Sequence, residues 1–289
     1  GPITIADGAD ATIDTLIHRT ATEASVDLGG KKLTMSRSFI ESNGTTLTFA
    51  NGTVKAGAEG LEFTPIMPGM VFSIAAGLDL NGETLVKKGS GTVDLAGPIA
   101  DEVSMDIQGG TVKVNPDKQA GPINCLSSAY SPFTVTVQDG AKLWLCGREC
   151  SGLGSYTAVA EGAVGLQAVV RTGGVLEVGD TVSGRVSQTV RSVTLAGGTL
   201  VLRTAHQNED EFNGLKGILK IVDKLSVTKD ATTPYAFAEN GELGRILFAG
   251  TKLTELNVED ITGTDDADLT FGQLLLDGAS DTQRIGFRK

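Results

Sequence analysis

Residues 82–97 read Gly-Glu-Thr-Leu-Val-Lys-Lys-Gly-Ser-Gly-Thr-Val-Asp-Leu-Ala-Gly, and residues 108–114 read Gln-Gly-Gly-Thr-Val-Lys-Val. This is a short strand, a glycine corner, a second strand, a linker over 98–107 and a third strand of the same pattern. Apolar residues alternate with polar ones after each corner, so one set of side chains points inward and the other outward. Gly supplies the positive φ that a sharp corner needs.

The same unit recurs along the chain. Leu47 and Phe49 follow Gly44, Leu143 and Leu145 follow Gly140, Leu176 and Val178 follow Gly174, and Leu200 and Leu202 follow Gly198. Strands Val103-x-Met105-x-Ile107, Val135-x-Val137 and Val193-x-Leu195 precede corners. Asn-Gly, Asp-Gly and Gly-Gly pairs punctuate the sequence from Asp7-Gly8 to Asp277-Gly278, each a site for a tight turn between strands. The corners Gly91, Gly110, Gly140, Gly174 and Gly198 recur at intervals of about 19 to 34 residues, the range of solenoid repeats. The uneven spacing implies loops of variable length and excludes a strict hexapeptide or nonapeptide β-helix.

Composition agrees with this reading. Gly accounts for 38 of 289 residues, nearly twice the usual share of about 7%. Aromatics are only 5%, which suits a narrow interior filled by Val, Leu and Ile. The pattern predicts an all-β chain built as a β-solenoid over 3–205. A more divergent or capping β region follows over 206–289, because terminal repeats must cover the open end of the core. An antiparallel β-sandwich or jelly roll is the alternative that the turn signals also allow. The segment 208–225 is the best helical candidate, but Gly214 and Gly217 sit inside it, and a strand from Gly217 fits the repeat better.

Net charge is −11, from 24 basic and 35 acidic residues. That argues against nucleic acid, which needs a basic footprint, and against docking on anionic lipid. No apolar run approaches the roughly 20 residues of a membrane-spanning helix. Gly1-Pro2 reads as a protease scar, which leaves room for a leader removed upstream. Cys125, Cys146 and Cys150 are either three reduced thiols or one disulfide, Cys146–Cys150, with a thiol left over.

The run Lys87-x-Gly89-x-Gly91-Thr-Val-Asp-Leu-Ala-Gly97, with Gly109-Gly110-Thr-Val-Lys-Val114 after it, resembles the autotransporter-associated β-strand repeat of bacterial surface proteins. Partial echoes occur at 173–178 and 197–202, but the full Lys-x-Gly-x-Gly motif occurs once. The resemblance implies a right-handed parallel β-helix, export and display outside the cell. In that family the repeat is associated with secretion and not with catalysis, so no functional residues carry over.

Chemistry is sparse. The chain has two histidines, His18 and His206, no His-Glu-x-x-His motif and no phosphate loop. No metal and no cofactor is expected. The acidic clusters at 209–211, 259–260 and 265–268 lack the calcium-loop plan and read as solvated loops. β-Helix glycosidases and lyases set two carboxylates facing one bond, on adjacent outward positions. Those positions here read Asp94, Lys113, Trp144, Glu177 and Val201, which is not an acidic ladder. Trp144 points outward between Leu143 and Leu145, where its ring stacks either on a sugar or under a loop. The expectation is therefore a non-enzymatic, exported scaffold (stalk, adhesin or passenger segment) meeting a host or environmental glycan or protein. A carbohydrate-active enzyme using loop carboxylates and a carbohydrate-binding module using Trp144 are the alternatives.

Overall fold

The structure, a computed structural model, describes residues 3–4, 10–19, 22–42, 45–100, 103–114, 133–146, 165–179, 186–202, 217–229, 236–240, 245–248, 254–259, 269–271, 275–278 and 285–288. These are all-β, with no helix among them. The strands join one 25-stranded hydrogen-bonded system in which every strand-to-strand ladder is parallel. Antiparallel contact among the described residues is confined to two isolated bridges, Gly57 with Gly60 and Arg171 with Gly197. This removes the sandwich or jelly roll, whose neighbouring strands run in opposite directions.

The pairing resolves into three ladders, which the chain visits in turn. One full visit is called a rung below. The first ladder carries Thr46–Ala56 at its start, then Val71–Ile74, Thr92–Leu95, Gly110–Val114, Ala141–Leu145, Val175–Val178 and Thr199–Leu202. The third carries Leu61–Pro65, Thr84–Lys87, Val103–Ile107, Phe133–Val137, Leu166–Arg171 and the second half of Val186–Ala196. The second ladder links Leu33, Val54, Leu78 and Ile99 early in the chain, and Gln188, Leu219 and Ile246 late. In the two intervening rungs the described residues contain no second-ladder strand; the connections there cover 115–132 and 147–164.

Alternation does what the sequence pattern requires. Leu47, Phe72, Val93, Val112, Leu143, Leu176 and Leu200 form one inward column of the first ladder, and all are buried. Fully burying each such side chain stabilises the fold by roughly 1.5–3 kcal/mol. Phe63 and Phe72 meet edge to face inside, with ring centroids 6.0 Å apart.

The turn dipeptides make corners without reversing the chain. Asn51-Gly52 lies inside the continuous strand Thr46–Ala56, where Asn51 takes φ 57° and the chain bends from the first ladder into the second. The residues predicted as strand from Gly217 are strand, Gly217–Val227, so the helical reading of that part of 208–225 is removed. Pairing also runs across position 205: Val201 aligns with Glu239 and Val190 with Ile221. The ladders do not close. Among the described residues Ala11–His18 pairs on one side only, and none of its residues is fully buried.

Candidate functional site

The outward column of the first ladder is the place where chemistry was expected. Its register is Ser73, Asp94, Lys113, Trp144, Glu177, Val201. Asp94 and Glu177 are therefore separated by Lys113 and Trp144, and the two carboxylates do not face one bond.

Trp144 is half-buried and outward. Its Nε1 donates to the carbonyl of Gly179 at 2.6 Å, which fixes the ring. Lys113 Nζ, one rung earlier, lies 5.2 Å from the ring centroid, and Lys142 Nζ, two residues along the same strand, lies 5.9 Å away. Both distances fall within cation–π range. Lys142 is in turn held at 2.8 Å by the carboxylate of Glu177, whose side chain is 1% exposed. The result is a fixed indole with two ammonium groups within reach of its ring, one of them neutralised.

A second polar centre was not anticipated. Lys87 sits inward in the third ladder, aligned with Phe63 before it and Ile107 after it, and is 0% exposed. Its Nζ donates to the carbonyls of Lys88 at 2.9 Å, Gly89 at 2.9 Å and Gly109 at 2.7 Å. Three donors meet three acceptors, which satisfies an ammonium completely. Burial pushes its pKa down from 10.5 to about 8. The signal was present in the alternation: Leu85 points inward, so Lys87 does too.

Other candidates fall as follows. Cys146 is buried, and its Sγ donates to the carbonyl of Val114 at 3.2 Å. Cys150 and Cys125 lie outside the described residues, and with them the Cys146–Cys150 pairing. His206 and the acidic clusters at 209–211 and 265–268 also lie outside them. Glu259 is exposed, and its carboxylate accepts from the backbone N–H of Lys229 at 3.3 Å. Among the described residues no group of three or more His, Cys, Asp or Glu side chains is placed to hold a metal. No described helix is long and apolar enough to cross a membrane. Comparison with protein-family models, with curated proteins and with solved structures finds no match.

Proposed function

We propose that the chain is a non-enzymatic scaffold, a right-handed parallel β-helix exported and displayed on a bacterial surface as a stalk, adhesin or autotransporter passenger segment. One observation carries this reading. The Lys87-x-Gly89-x-Gly91 motif, on which the resemblance to secreted β-helix repeats rests, is the corner at which the third ladder hands the chain back to the first. A motif that builds the corner of a parallel repeat suits a structural role. The interleaving of Asp94, Lys113, Trp144 and Glu177 along one outward column supports the same role over paired-carboxylate hydrolysis.

The test places an export leader before residue 1 and a membrane β-barrel after residue 289. The expected outcome is a chain on the outer surface, cleaved by protease added to whole cells. Retention inside the envelope overturns the reading. A hydrolysis and lyase screen over acidic and neutral glycans is expected to show no turnover. Any activity abolished by mutating loop carboxylates selects the enzyme instead.

The Lys113–Trp144–Lys142 group favours a second reading, a binding element for a carboxylated saccharide on the same scaffold. A glycan array comparing the intact protein with Trp144→Ala decides it, since equal binding removes the idea.

A further inference from the structure

We infer that Lys87 sets the register in which successive rungs dock. A repeat fold faces a register problem, because neighbouring rungs present similar apolar columns and a slip by one rung keeps much of the burial. In the third ladder the column through Lys87 continues as Ile107, Val137, Val170, Leu195 and Val227, none of which tells one rung from the next. Lys87 is the odd member.

Two of its acceptors, the carbonyls of Lys88 and Gly89, are its own neighbours in sequence and travel with it in any register. The third, Gly109, belongs to the next rung and is met in one register only. That corner is shaped to the ammonium: a Cβ at position 110 would stand 2.8 Å from Lys87 Nζ. The corner one rung further is a residue longer, since Ile107 aligns with Val137 while Gly110 aligns with Ala141. In a slipped rung Asp139 would stand in the place of Gly109 on a corner of different length, so the native acceptor geometry is not reproduced and the buried ammonium is left short of an acceptor, a costly state. A single polar residue in the seam of a coiled coil acts in the same way, giving up stability for a unique alignment.

The experiment reads register directly. Thr84 aligns with Ser104, hydroxyl to hydroxyl at 3.0 Å, and Ser104 aligns with Thr134. The pair Thr84→Cys with Ser104→Cys reports the native register, and Thr84→Cys with Thr134→Cys reports a one-rung slip. Each pair is refolded from denaturant, oxidised and mapped by peptide mass, with Lys87 intact and as Lys87→Met or Lys87→Leu. With Lys87 intact only the 84–104 bridge is expected. In the apolar variants the 84–134 bridge is expected as a second product, with the melting temperature unchanged or raised. A single 84–104 product from an apolar variant overturns the inference. Failure of both apolar variants to refold also overturns it, because Lys87 would then be needed for stability rather than for alignment.

Discussion

Lys142 Nζ and the carboxylate of Glu177 meet at 2.8 Å across neighbouring rungs, with side-chain exposures of 32% and 1%. The pair is lopsided, and its two halves should not respond alike to mutation. Lys142→Ala leaves a buried carboxylate without its ammonium, which is expected to cost about 3 kcal/mol. Glu177→Ala leaves a lysine that can turn to water, at about 1 kcal/mol. Urea denaturation of both variants checks the order, and a larger loss from Glu177→Ala would contradict it.

Glycine corners differ in what they tolerate. Gly110 has φ +63°, and a Cβ there would overlap the Gly91 carbonyl and stand 2.7 Å from that of Gly89. Gly140 has φ +67° but open space around it. Gly110→Ala is expected to destabilise by about 3 kcal/mol or more, through strain plus backbone overlap. Gly140→Ala carries the conformational cost alone, about 1 kcal/mol. Equal losses in thermal melts would mean that the close stacking at Gly110 is not felt.

The interior should register the loss of a ring. Phe72 is fully buried and packs edge to face on Phe63. Phe72→Ala is expected to cost about 3–5 kcal/mol, and Phe72→Leu about 1–2 kcal/mol because most of the volume is kept. Calorimetry on the two variants separates cavity formation from the lost aromatic contact.

Lys87 makes stability depend on pH in the alkaline range. Its folded pKa is about 8, against 10.5 for an ordinary lysine. Below pH 8 both the folded and unfolded chains carry the proton, and the full cost of burying the ammonium is present. Between pH 8 and 10.5 the folded chain gives up its proton first, so this group adds stability as pH rises. Phe63 and Ile107 flank Lys87 within its ladder, and Glu62 and Lys88 pair with each other at 2.8 Å on the same rungs. Relative to Lys87→Met, the unmodified chain is expected to gain stability from pH 7.5 to pH 10, measured by denaturant midpoints. A flat difference would place the ammonium in a better-solvated setting.

Much of the architecture could be read from residue order. The alternation that sent Val93, Leu95, Val112 and Val114 inward holds in the structure, and the outward series Asp94, Lys113, Trp144, Glu177, Val201 is the observed register. Corner glycines act as anchors that align strands even when the connections between them vary. Contacts across rungs were harder to see. Lys142 and Glu177 are 35 residues apart, with the connection 147–164 between them, and nothing local marks them as partners. Asn51-Gly52 looked like a turn, yet it bends a strand without ending it, because one left-handed residue redirects a parallel path as readily as it closes a hairpin. Lys87 was missed because a lysine is ordinarily assigned to solvent, and only its carbonyl partners make the interior position tolerable.

Among the described residues each strand forms backbone ladders only with strands a rung before and a rung after, and this has a mechanical corollary. Tension applied along the chain would meet, among the described residues, no backbone ladder joining distant rungs. The chain should peel away piece by piece from an edge such as Ala11–His18, at a nearly constant force rather than in one abrupt rupture.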